Sequence, residues 1–154
     1  MNYMKLLENC TLCMRNCNVN RNNGDKGACN STNTIRIARA ALHFWEEPCI
    51  SGKSGSGTVF FSNCNLKCVF CQNYKISSEG FGTEITIDRL SEIFLELQDK
   101  GANNINLVTP THFVPQIIEA LKIAKNKGLS LPIIYNTNSI DSLDTIKALN
   151  GYID

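Results

Sequence analysis

The sequence contains no apolar run of about 18 residues or more, so no segment is expected to cross a membrane. Its opening, MNYMKLLENC, lacks the apolar stretch of a secretory leader and carries Glu8 and Cys10 early, so no signal peptide is expected. A dominant charge is missing too. Lys and Arg number 15 against 14 Asp and Glu, leaving a net charge of +1. That is too little for a broad basic field, so neither nucleic acid nor a membrane surface is an expected partner. With 154 residues, 43% of them hydrophobic and 19% charged, the chain has the size and composition of about one globular domain. Cysteine, by contrast, is abundant. Eight cysteines without a secretory mark point to a cytoplasmic protein whose thiols serve metal or redox chemistry rather than disulfides.

The cysteines fall into groups. Cys10, Cys13, Cys17 and Cys29 are spaced C-x2-C-x3-C-x11-C, Cys64, Cys68 and Cys71 are spaced C-x3-C-x2-C, and Cys49 stands alone. The first is a full ligand set for structural zinc or for a closed iron–sulfur cluster, and spacing does not choose between them. The second set is one ligand short. The stretch NCNLKCVFCQNYK offers no local fourth ligand, and a 4Fe–4S cluster held by three thiolates keeps one iron open to an outside molecule. The competing reading is zinc with a remote fourth ligand, His43, Cys49 or His112, although closed zinc sites usually draw their ligands in local pairs.

Residues 1–34 carry little apolar periodicity and read as a metal-organised module, with Gly24 and Gly27 available for positive φ near the last cysteine. Residues 35–50 read as partly extended and lying against the main body. From residue 51 strands and helices alternate. GTVFFS and NINLVT read as buried parallel strands. Between them lies a helix with Ile87, Leu90, Phe94 and Leu97 on one face, Thr86 as N-cap and Gly101 as its stop. Pro115 opens a second helix with Ile117, Ile118, Leu121 and Ala124 inward and Gly128 closing it. LPIIYN is a third strand. Ser142–Leu149 is a third helix with Leu143 and Ile146 on its apolar face, and GYID reads as the start of a fourth strand. Such alternation makes right-handed βαβ units, whose ligand sites gather at the carboxyl ends of the strands. Cys64, Cys68, Cys71, Thr111, His112 and Asn136 are thus expected at one rim.

The loop C-x3-C-x-aromatic-C, with Phe70 in the aromatic position directly after a first strand, resembles the radical S-adenosylmethionine (radical SAM) superfamily. The flanks ALHFWEEPCISG, FFSNCNLKCVFCQN and NINLVTPTHFVPQI resemble a narrower group related to the pyruvate formate-lyase activating enzyme. The resemblance runs from about Cys10 to the last residue, along the N-terminal part of the family's chain. It implies an α/β fold: a truncated, partial (β/α) TIM-like barrel of parallel strands at 51–154, preceded by a small Cys-rich N-terminal metal module and linker at 1–50. It also implies that Cys64, Cys68 and Cys71 bind three irons of a 4Fe–4S cluster, with S-adenosylmethionine chelating the fourth. Reductive cleavage then gives methionine and a 5′-deoxyadenosyl radical that abstracts a hydrogen atom. Backbone around Phe70 would touch the adenine, while Asn136 and Thr137 would face the ribose or methionine part. An electron donor such as a flavodoxin or ferredoxin is implied, and a protein substrate is open.

Two departures stand out. The family's activating enzymes carry a Gly-Gly-Glu-like segment after the second strand, where this chain has Thr109-Pro110-Thr111-His112. The family's barrel also has more βα units, so a slow, self-associating fragment with an open sheet edge is expected. An alternative of another class is a non-catalytic iron–sulfur or zinc protein that scaffolds a partner or carries electrons; another is an inactive piece of a longer enzyme. Among the single residues, Cys49 reads as a packed small hydrophobe. His112 reads as a hydrogen-bonding residue with a possible ligand contact, and His43 as packed on an aromatic surface. Glu46 and Glu47 read as a solvated turn. SGKSGSGT is no phosphate loop, because Glu47 stands where the first glycine is needed and a strand follows.

Overall fold

The computed structural model describes residues 2–154. In chain order, 3-10 turns at Tyr3–Leu7 and Arg21–Asn23 precede β1 (Ile35–His43), α1 (Pro48–Ser51), β2 (Ser56–Phe61), α2 (Tyr74–Ser77) and β3 (Thr83–Ile85). Then follow α3 (Ile87–Asp99), β4 (Ile105–Val108), a 3-10 turn at Thr111–Phe113, α4 (Val114–Asn126), β5 (Ile133–Asn136) and α5 (Leu143–Leu149).

The strands form one open sheet in the order β3-β1-β2-β4-β5. β2, β4 and β5 are parallel, with Val59 opposite Leu107 and Leu107 opposite Tyr135. β1 runs antiparallel to β2, and β3 antiparallel to β1. The wholly parallel sheet expected from the sequence is therefore corrected to a mixed one. β1 escaped the apolar pattern because only Ile35 in it is buried. It lies within the expected N-terminal unit yet shares its hydrogen bonds with β2.

The two long helices form as their sequences dictate. The Thr86 hydroxyl caps α3 by accepting from the Arg89 N–H at 3.1 Å, satisfying a donor that has no partner inside the helix. Gly101, at φ +82°, takes the left-handed turn that ends it. Pro115 sits in the first turn of α4, where a missing N–H costs nothing. Leu90, Phe94 and Leu97 of α3 and Ile117, Leu121 and Ala124 of α4 bury against Val59, Phe61, Ile105, Leu107 and Ile133 of the sheet. Gly57 lets β2 approach β4 closely: a Cβ there would lie 2.8 Å from the Asn104 carbonyl oxygen.

Two other expectations change. Gly151 and Tyr152 form a turn and Ile153 and Asp154 take no strand geometry, and Asp154 folds back on β5, its N–H donating to the Ile133 carbonyl at 3.0 Å. In α5 the buried residues are Thr145 and Leu149, whereas Leu143 is 68% exposed and Ile146 also faces out. The rotation is set by Leu12, whose carbonyl accepts from the Ser142 N–H at 3.0 Å and from the Thr145 hydroxyl at 2.8 Å. The cysteine-rich stretch thus docks on the loop after β5. There Met14 N–H also donates to the Ile140 carbonyl at 2.9 Å, and Cys13 bridges Asp141. No helix among the described residues is long and apolar enough to cross a membrane.

Candidate metal and ligand site

The carboxyl ends of β2, β4 and β5 open onto three loops, at residues 62–73, 109–113 and 137–142, and together these loops make the rim. The chain turns sharply as it leaves each strand. Asn63, Thr109 and Ser139 all have positive φ, as does Lys67 inside the cysteine loop. For Thr109, at φ +53°, the left-handed conformation is a real strain, since a β-branched residue rarely adopts it. Strain of this kind gathers at functional sites when the surroundings hold it in place.

Cys64 is buried, and Cys68 and Cys71 are half-buried. Two of the three sulfurs already accept hydrogen bonds. Cys64 Sγ takes the Leu66 N–H at 3.3 Å and the Asn138 side-chain amide at 3.5 Å, and Cys71 Sγ takes the Ser77 hydroxyl at 3.3 Å. Such donors are what thiolates of an iron–sulfur centre use to spread their charge. Among the described residues no three Cys, His, Asp or Glu side chains yet surround a common point. The donor set itself, three thiols on one loop at the end of a strand with hydrogen bonds to two sulfurs, fits a cluster. Phe70, 84% exposed, and Val69 stand out from the loop into solvent.

Arg15 was not anticipated. Its guanidinium donates to the Asn65 carbonyl at 3.0 Å and the Leu66 carbonyl at 3.3 Å, clamping the N-terminal module onto the cysteine loop. Asn138 likewise reaches Asn65 Oδ1 at 2.7 Å, joining the β5 loop to the β2 loop. Asn138 was detectable as a polar residue just past a strand end. Arg15 and Ser77 carried no such signal.

Asn136 is exposed at the rim, as expected. Thr137 is half-buried and its hydroxyl is engaged by the Asp141 carboxylate and the Ser139 N–H, so it shapes the loop rather than facing out. Tyr135 donates to Asp141 Oδ1 at 2.5 Å; burial first, and then the Asp141 hydrogen bond, push its phenol well above the usual range. Thr111 is fully buried beside the Tyr135 hydroxyl at 3.4 Å.

His112 is corrected from a rim contact to a buried support. It is 2% exposed, and its Nε2 lies 2.9 Å from the Ser62 carbonyl. Because a carbonyl only accepts, Nε2 carries the proton and the ring is the neutral tautomer with Nδ1 bare. Burial first, with the Arg21 charge acting in the same direction, lowers its pKa to about 4 against the opposing Ser62 bond.

In the N-terminal set, Cys10 and Cys29 are buried and Cys13 and Cys17 half-buried. Burial pushes the Cys29 thiol up, while Arg21 and Ser31 pull it down. Gly24 takes positive φ as expected. Gly27 does not, and its role is clearance: a Cβ there would lie 2.9 Å from Cys17 Sγ. Cys49, expected to pack, is exposed. α1 turns Ser51 inward instead, where its hydroxyl accepts the Glu46 N–H at 2.9 Å. His43 packs edge-on against Phe60 as expected, and Glu46, read as solvated, lies 3.2 Å from its Nδ1.

A relative in Methanocaldococcus jannaschii, an uncharacterized protein, is 29% identical over 158 residues, a match covering 97% of this chain and 44% of the relative. The chain therefore spans less than half the length of that protein. The sequence model of the Radical SAM superfamily matches residues 58–154, from β2 through the cysteine loop to the last residue. With most of its length and nearly all of the parallel part of its sheet inside that match, the chain belongs to the radical SAM superfamily.

Proposed function

We propose that this chain is the cluster- and S-adenosylmethionine-binding part of a radical SAM oxidoreductase related to the pyruvate formate-lyase activating enzyme. The observation that carries the reading is the loop after β2, which carries Cys64, Cys68 and Cys71 with hydrogen-bond donors on two of the sulfurs. A 4Fe–4S cluster held there with one iron open would supply the electron for reductive cleavage of S-adenosylmethionine and the hydrogen-atom abstraction that follows.

The protein's part is placement. Cys64, Cys68 and Cys71 would hold the cluster, and Asn138 and Ser77 would disperse charge on two of its thiolates. Phe70, exposed beside Cys71, offers its backbone to the adenine. Asn136, on the neighbouring strand end, faces the ribose or methionine part. The grip on the ligand's amino group would fall to the backbone at Thr109, whose positive φ turns the chain as it leaves β4. His112 works from beneath: by holding the Ser62 carbonyl it fixes the residue two before Cys64. A flavodoxin or ferredoxin would deliver the electron.

The test is anaerobic reconstitution with iron and sulfide, then electron paramagnetic resonance of the reduced protein with and without S-adenosylmethionine. The ligand should change the signal, and replacing Cys64, Cys68 or Cys71 by Ala should abolish the change. An unchanged signal at saturating ligand refutes the reading.

A further inference from the structure

Outside the matched residues, one side chain lacks the charge it needs. Arg21 is fully buried, at 0% exposure, and no carboxylate among the described residues lies within 4.0 Å of it. Its guanidinium donates to the Thr32 carbonyl at 3.1 and 2.5 Å and to the His112 carbonyl at 2.5 Å. Nη1 also lies 3.9 Å from Cys10 Sγ, and the guanidinium carbon sits 5.7 Å from the centre of the Phe113 ring. Arginine stays charged in proteins. Carbonyl dipoles satisfy its N–H groups but leave the charge itself unmatched, and a buried unmatched charge is strongly unfavourable.

The group able to become anionic that touches it is a cysteine, Cys10. The Cys10 N–H donates to the Val19 carbonyl at 3.0 Å, and the Asn18 N–H to the Cys10 carbonyl at 3.0 Å, folding Cys10 and Cys17 into one hairpin-like turn. Cys17 Sγ accepts the Ala28 N–H at 3.3 Å, so it lies against the segment that leads into Cys29. Gly27 gives that sulfur room that any larger residue would fill. Asn16, Asn18 and Asn30, each next to a cysteine, take the left-handed turns this arrangement needs. Among the described residues no three of these side chains yet surround a common point, so binding a metal must draw the sulfurs together.

We propose that Cys10, Cys13, Cys17 and Cys29 bind a second metal centre through four thiolates, with the buried Arg21 guanidinium as its counter-charge. Four thiolates around a divalent ion, or around a 4Fe–4S cluster, keep net negative charge, and that charge is what Arg21 lacks. The inference does not rest on the function proposed above. Because Arg21 also holds the His112 carbonyl, the centre fixes the turn between β4 and α4 at the rim.

The experiment uses the full chain carrying Cys64→Ser, Cys68→Ser and Cys71→Ser, so that only the N-terminal set remains to bind. One arm titrates cobalt(II) and zinc(II) into the reduced protein; the other reconstitutes with iron and sulfide. A single tetrahedral cobalt centre with thiolate charge-transfer bands assigns a zinc-type site, and an iron–sulfur spectrum assigns a cluster. Either supports the centre. Failure to bind in both arms overturns it. In whichever arm binds, Arg21→Gln should weaken affinity by about 10- to 100-fold, the usual effect of losing an outer-shell partner, while Arg21→Lys should retain most of it. Equal affinity in Arg21→Gln and the parent overturns the counter-charge role.

Discussion

Acidifying the metal-free chain should destabilise it through His112. In the folded state Nε2–H is committed to the Ser62 carbonyl and Nδ1 is buried with no partner. A second proton would place an N–H where nothing accepts it and a positive charge near Arg21. The folded pKa is accordingly lowered to about 4 from the ordinary 6.5. Between these values the unfolded chain binds the proton and the folded chain does not, so stability falls as pH falls through that window and levels off below it. Linkage gives about 2 kcal/mol lost between about pH 7 and about pH 5, and about 3 kcal/mol in all once both states are protonated. Urea denaturation across this range, in reductant and chelator, measures the slope. Carboxylates add their own contribution, so the decisive comparison is His112→Gln, whose amide keeps a donor for Ser62 but does not titrate. The variant should lose most of the slope above about pH 4. Parallel curves for the two proteins would refute the buried neutral imidazole.

Other perturbations test other parts of the structure. Phe94→Ala removes a fully buried ring from between α3 and the sheet and should cost about 3–5 kcal/mol in chemical denaturation; a loss under about 1 kcal/mol would mean the core is not packed as described. Gly57→Ala should cost about 1–3 kcal/mol, because its methyl meets the Asn104 carbonyl at 2.8 Å, and neutral behaviour would count against the tight β2–β4 contact. Asn138→Leu takes a donor from Cys64 Sγ, so the potential of a reconstituted cluster should fall, since hydrogen bonds to sulfur favour the reduced form; spectroelectrochemistry reads this, and an unchanged potential speaks against the contact. In metal-loaded protein, Cys49 should be the first thiol labelled by a maleimide in peptide mapping, being exposed and outside both sets; labelling of Cys64 or Cys29 ahead of it would contradict the assignment.

The parallel half of the fold was legible because its signals are local. Thr86, Gly101, Pro115 and Gly128 punctuate helices by backbone chemistry, and the inward residues of α3 and α4 follow from a 3.6-residue period. α5 misled because Leu143 and Ile146 satisfy that period equally well. Its orientation is decided instead by Leu12, a carbonyl more than a hundred residues away in sequence. β1 was read only as partly extended, and β3 was missed, for another reason: half-exposed strands show no apolar run. The cysteine loop announced itself by spacing, yet the residues that steady it, Arg15, Asn138 and Ser77, act through contacts that only folding creates. His112 was placed at the right strand end but on the wrong side of it, since nothing in a sequence tells a side chain reaching outward from one turned under the sheet.

The fold-back of Asp154 gives β5 a guarded edge. Besides its N–H bond to the Ile133 carbonyl, its carboxylate accepts the Ile133 N–H at 2.9 Å, so both outward-facing backbone groups at the first residue of β5 are occupied. A strand from a second copy aligning beside β5 would have to displace that bracket before its first ladder bond could form. Pairing would then be a competition between two sets of similar hydrogen bonds. The β5 edge therefore carries a latch at its first residue, which a neighbouring copy would have to open before pairing there.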